Sequence, residues 1–216
     1  MAFTHLLVLA QGDGTLHNKT TFTDLFDDNS INPFWTTYTT EGTVTETGGK
    51  LQMVRPAPDA SAWAGPQVII TDYRMVGDFD VSVTIDMTGM TSNIDGPQAL
   101  LQIYDGSYTF TMGGQKLSGS NYVNAWTNDP SAVGTYYTAN TGAFLDAMKY
   151  RIVRSGSTIT SYYDNGGGWT SHSTGTATST GPARIALQAY TDASGSTVDH
   201  TATFDEFYSS GLWQDV

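Results

Sequence analysis

Apolar and polar residues alternate one for one through much of this chain, and a period of two marks strands rather than helices. Phe79, Val81, Val83 and Ile85 share one face of residues 78–86, with Asp78 and Asp80 turned the other way toward water. Tyr150 and Ile152 alternate in the same way with Arg151 and Val153. Gly156 supplies the positive φ that a tight reversal needs, and the run from Asp164 to Gly168 makes a second reversal before Trp169.

Further strands follow from the same reading. Residues 41–47 and 50–55 form a hairpin about Gly48 and Gly49, with Leu51 and Met53 facing inward. Residues 67–70 are an apolar run, residues 99–104 and 108–112 flank a turn at 105–107, and residues 184–190 and 201–208 close the series. Roughly a dozen short strands with turns between them predict a two-sheet sandwich. No long stretch repeats near 3.6 residues. Residues 142–149 predict one helical turn at most, built on Ala143, Leu145, Ala147 and Met148. Residues 113–140 are rich in Ser, Asn, Gly and Tyr and predict long loops, where recognition usually resides.

The chain divides into residues 1–21, a sandwich over 22–210 and a C-terminal tail at 211–216. The first segment carries Leu6, Leu7, Val8 and Leu9 ahead of a turn at Gly12–Gly14, and reads either as an edge strand or as an assembly arm that reaches a neighbour. Its start has no basic residue, and the apolar run at 6–10 is shorter than the ~7–15 residues of an export core. The expectation is an uncleaved protein made in a cytoplasm. No segment has the apolar length of a membrane-crossing helix.

Composition narrows the chemistry. Nine basic against 21 acidic residues give a net charge of −12, which opposes a nucleic-acid partner because phosphate binding needs clustered Lys and Arg. The absence of cysteine removes disulfides, thiolate metal sites and a Cys nucleophile.

Four marks stand in order along residues 22–211: an acidic stretch leading to Trp35, the strand at 78–86, the double hairpin from Tyr150 to Trp169, and the closing Phe204, Asp205, Glu206, Phe207. Together they resemble the concanavalin A-like lectin/glucanase jelly rolls, in their non-catalytic, laminin G-like and carbohydrate-binding-module-like form. The resemblance implies an all-β fold of two antiparallel sheets, here with a short N-terminal arm. It also implies a structural calcium ion held by Asp205 with Asp27 or Asp28, the alternative being that Asp205 hydrogen-bonds a turn. Lectins, hydrolases, binding modules, adhesion domains and virion proteins share this architecture, so the site has to decide the function.

The carboxylates oppose hydrolysis. The glucanases of the superfamily carry Glu-x-Asp-x-x-Glu or a shorter form on a central strand, and retaining hydrolysis needs two carboxyls about 5 Å apart. Only three glutamates occur, Glu41, Glu46 and Glu206. Glu41 and Glu46 have the outer spacing, but Thr43 takes the place of the Asp and the pair lies in the first hairpin, on a solvated strand face. Asp205 and Glu206 are neighbours and would face opposite sides of a sheet. His5, His17, His172 and His200 lie in no nucleophile motif and are expected at the surface. No catalytic residues are assigned.

For saccharide binding the chain offers Trp63, Tyr104, Tyr122 and Trp126, with Asn128 and Asp129 beside the last, because an aromatic face stacks on a pyranose while polar neighbours fix its hydroxyls. Packing is the competing role for these rings, and the resemblance implies it for Trp35 and Trp169. The sequence therefore points to a non-enzymatic interaction protein. The first expectation is a bacteriophage virion surface protein, decorating a capsid or associated with a tail, made in the host cytoplasm and partnered by virion proteins or copies of itself. The alternative is an extracellular glycan-binding module that contacts cell-surface glycans. A glycoside hydrolase ranks below both, and neither nucleic acid nor membrane is expected as a partner.

Overall fold

The computed structural model describes residues 18–39, 41–58, 65–92, 96–104, 109–128, 136–140, 142–177 and 180–216, with backbone alone for 127, 128 and 136–140. The arm residues Leu6, Leu7, Val8 and Leu9 lie outside them. Fifteen strands and no helix occur among the described residues. They are β1 (Thr21–Asp24), β2 (Trp35–Tyr38), β3 (Thr43–Thr47), β4 (Lys50–Arg55), β5 (Gln67–Ile70), β6 (Tyr73–Asp86), β7 (Gln98–Tyr104) and β8 (Thr109–Leu117). The series continues with β9 (Ser120–Asn128), β10 (Tyr136–Asn140), β11 (Ala147–Ser155), β12 (Thr158–Asp164), β13 (Thr170–Thr176), β14 (Arg184–Tyr190) and β15 (His200–Asp215).

These strands make two antiparallel sheets stacked as a jelly-roll sandwich. The first runs β13-β12-β11-β6-β15-β4-β3, with β1 also paired to β15. The second runs β10-β9-β8-β7-β14-β5-β2. Alternation places Phe79, Val81, Val83 and Ile85 of β6 and Leu51 and Met53 of β4 in the core, opposite Leu101, Ile103, Met112, Ile185 and Leu187 of the second sheet. Each such side chain contributes about 1.5–3 kcal/mol through its burial. Trp35 is buried beside Phe207, with ring centroids 5.0 Å apart, and Phe22 and Phe26 pack around it.

Three expectations give way. Residues 142–146 hold no helical turn and lead directly into β11, where Met148 and Tyr150 are already core positions. The stretch expected as loops over 113–140 is mostly strand, in β8, β9 and β10. Its period of two is hidden because Gly114 and Lys116 occupy inward positions between apolar ones. Lys116 is buried with its ammonium on the carbonyls of Met87 and Met90, at 3.0 and 2.9 Å, and on Asp146 at 2.7 Å. Finally, residues 211–215 are not a tail. They continue β15, and the backbones of Asn18, Lys19 and Thr20 hydrogen-bond to it at Trp213 and Gly211.

Candidate functional site

Cross-strand register fixes what the second sheet turns outward. One row crosses Tyr190, Gln98, Gln115 and Tyr122 on β14, β7, β8 and β9. The next crosses Gln67, Gln188, Leu100, Gly113 and Asn124, and a third crosses Ala186, Gln102, Thr111 and Trp126. Tyr104 begins a fourth, opposite Thr109. The outward positions of this sheet carry amides, hydroxyls and aromatic rings, and the middle of the face is buried, with no exposed surface at Leu100, Thr111, Asn124 or Ala186.

These outward amides are withdrawn from water and bonded to one another. Gln98 donates to Asp192 Oδ1 at 2.6 Å, Gln115 donates to Asp192 Oδ2, and Asn124 donates to Gln115 Oε1 at 2.8 Å. Burial pushes the Asp192 carboxyl above its ordinary range, and the two glutamine donors pull it partly back. A second cluster joins Gln67, Gln102 and Tyr104: the Tyr104 hydroxyl donates to Gln102 Oε1 at 2.6 Å, and Gln67 donates to the same oxygen at 3.1 Å. Gln98 Oε1 is buried with no partner, and an acceptor left in that state costs about 1–3 kcal/mol unless something donates to it.

Tyr122 and Trp126 stand on this face, four residues apart on β9 and so ~13 Å apart along the strand, with Asn124 between them. Both are partly exposed, as is Tyr104. Three of the rings expected to bind sugar are therefore brought to one face. Trp63 and Asp129 lie outside the described residues, and only the backbone of Asn128 is described, beside Thr109 at the end of the same sheet. Gln67, Gln98, Gln102, Gln115, Asn124 and Asp192 were not singled out from sequence. A strand assignment for 113–126 would have found Gln115 and Asn124, since they alternate with Met112, Val123 and Ala125.

Several acidic and basic residues take roles other than those expected. Glu46 is buried rather than solvated: its Oε1 accepts from Asp28 N at 3.1 Å and its Oε2 has no partner. Burial, and then the nearby Asp28 carboxyl, push Glu46 upward, and Asp24 is raised chiefly by burial. Glu41 is 3.1 Å from the buried guanidinium of Arg55. Asp78 and Asp80 do not simply face water, for Asp78 accepts from Gly156 N and Asp80 grips Arg151. His200 is not at the surface but buried, 3.0 Å from Ser196 Oγ.

Asp205 and Glu206 also depart from simple alternation. The register of β15 shifts between Asp205 and Tyr208, so both acids lie outside the sheet between the inward Phe204 and Phe207. Asp205 Oδ1 is taken by Glu206 N at 2.7 Å, as in the alternative turn role. Asp28 Oδ1 accepts from Ser30 N. No group of three or more His, Cys, Asp or Glu side chains set to hold a metal ion occurs among the described residues, whereas the calcium set implied above needs only one or two carboxylates with backbone carbonyls.

No family model matches the chain, and no curated protein is similar to it. Solved structures are similar in fold. The CBM2 module of the evolved Dit of Lactobacillus casei BL23 phage J-1 is 10% identical with a TM-score of 0.64, over 91% of this chain and 96% of that one. A structure from work on endo-acting O-glycanases of the human gut microbiota that initiate mucin breakdown is 12% identical with a TM-score of 0.65, over 88% and 98%. The GH43 protein BlXynB of Bacillus licheniformis is 14% identical with a TM-score of 0.61, over 90% of this chain but 39% of that protein. At these identities the likeness establishes the fold alone.

Proposed function

We propose that this chain is a non-catalytic saccharide-binding module of concanavalin A-like fold, and that it binds through the outer face of its second sheet. The observation that carries this reading is the placement of Tyr122 and Trp126 on one face around Asn124, above buried amides already fixed by Asp192. Partly exposed rings stack on the C–H faces of pyranoses, and the buried amide network beneath them ties together the strands that carry them. Two neighbours matched over nearly their whole length, a phage CBM2 module and a chain from work on O-glycanases, support it as relatives in fold.

The phage neighbour favours a second, compatible reading of where the module works. It would sit on the surface of a phage particle, made in the host cytoplasm and held by virion proteins or by copies of itself, with host glycans as its outer partner. Electron microscopy of particles labelled for this chain tests that placement, and a protein found only free and monomeric contradicts it.

A glycan array tests the binding function itself. The expected result is binding to a restricted set of saccharides that Trp126→Ala removes while the circular dichroism of the chain is unchanged. An array that stays blank with a multivalent preparation contradicts it.

A further inference from the structure

The outer face of the first sheet, on the opposite side of the sandwich, carries a groove of about 310 Å³. One wall is Trp169, which is 40% exposed although the expectation was packing. It is nonetheless fixed in place. Its turn is tied by Asp164 Oδ1, which accepts from Gly166 N and Gly168 N at 2.8 and 2.9 Å. The Arg151 guanidinium lies 5.5 Å from the Trp169 ring and 5.3 Å from that of Tyr162. Asp80 in turn holds that guanidinium through two bonds, at 2.7 and 2.5 Å. The tryptophan therefore rests on a clamped cation and keeps open surface toward the groove.

The opposite wall is Tyr208 and Leu25, 39% and 44% exposed. Between the walls stands Glu206, turned outward by the β15 bulge at φ +50. A non-glycine residue in that conformation costs about 1–3 kcal/mol and persists where its surroundings hold it. Here Glu206 accepts from Thr84 Oγ1 at 2.9 Å and from Lys149 Nζ at 2.7 Å, which joins β6, β11 and β15 at one point. The charges nearby cancel in pairs, Lys149 with Glu206 and Arg151 with Asp80. The groove therefore offers no net charge to attract an ion, whereas a neutral polyol hydrogen-bonds to both members of a pair.

We infer that this groove binds one neutral pyranose unit, stacked on Trp169 with its hydroxyls directed at the Lys149–Glu206 pair. Its volume stands at the small end of ligand sites, ~300–1,000 Å³, as a single ring requires. The site is separate from the face of Tyr122 and Trp126 and does not depend on sugar binding there. Two such sites on opposite faces would let one module bridge two glycan chains.

Nuclear magnetic resonance of the ¹⁵N-labelled chain, titrated with methyl glycosides of glucose, galactose, mannose and N-acetylglucosamine, tests it. At least one of these glycosides, at millimolar concentration, is expected to shift the amides of Thr84, Lys149 and Glu206 and the indole of Trp169. Trp169→Ala should weaken that response at least about tenfold, Glu206→Gln should weaken it with the fold intact, and Trp126→Ala should leave it unchanged. The inference is overturned if no glycoside perturbs the groove, if the shifts survive Trp169→Ala and Glu206→Gln, or if methyl glucuronide binds there more tightly than the neutral glycosides. Concentration-dependent shifts of the same amides without sugar would assign the groove to a second copy of this chain instead.

Discussion

Gln98 donates its side-chain amide to Asp192 Oδ1 at 2.6 Å, while its own carbonyl oxygen stays buried with no partner. The carboxylate thus orients a glutamine whose acceptor is left over, and Gln115 bonds to the other carboxylate oxygen. Removing the carboxylate with Asp192→Ala leaves two amide donors unpaired. Urea denaturation should show a loss of about 1–3 kcal/mol, part of which Asp192→Asn restores. Unchanged stability in both variants would mean that the network holds nothing in place.

Gly113 sits outward in the middle of this face, and a Cβ there would come within 2.1 Å of the Ala99 carbonyl and 2.8 Å of Leu100 Cδ2. Because the nearest atom is backbone, the strand itself has to shift. Gly113→Ala should cost about 1–3 kcal/mol by overpacking and weaken saccharide binding, as measured by denaturation and by calorimetric titration. Gly175→Ala, where a Cβ meets nothing within 4 Å, is the matched control and should bind normally.

Glu46 gives the chain a specific pH dependence. Its folded-state value is raised by burial and by Asp28, so its contribution to stability is fully present below the ordinary glutamate range and is lost as pH rises through the raised value. Glu46→Gln removes that loss. Thermal melts should show the variant more stable than the parent near neutral pH, with the difference shrinking as pH falls into the carboxylate range. A difference that grows on acidification would reverse the sign of this argument.

Hydrolysis is expected to be absent. Reducing-end assays on β-glucans, xylans and mucin O-glycans should stay at the blank level for the parent, Glu41→Gln, Glu46→Gln and Glu206→Gln alike. Turnover in the parent that one of these variants abolishes would make the chain an enzyme.

The strands with apolar residues at every second position, β4, β6, β11 and β14, were readable because burial of one face leaves its imprint directly on the sequence. The second half of the candidate site was harder to read. Gly114 and Lys116 interrupt the pattern of β8, since one accommodates Met87 and Phe144 at close range and the other buries its charge on carbonyls. The glutamines of β7 and β8 look like solvated residues in sequence, and only the register shows them meeting around Asp192. The bulge that turns Glu206 outward carries no glycine at Asp205, Glu206 or Phe207, so alternation misassigned the direction of that acid. Packing was expected for Trp169 from its place in the family resemblance, and only the register brings Arg151 beneath its ring.

A crystal structure of the chain with the saccharide it binds best on an array decides whether the second sheet carries the binding site. The expected complex has a sugar ring on Trp126 or Tyr122, the partly exposed rings of β9, with the buried Asn124, Gln115 and Gln98 amides unchanged beneath it. A sugar seated elsewhere, with the surroundings of Trp126 and Tyr122 unchanged, would contradict saccharide binding at the second sheet.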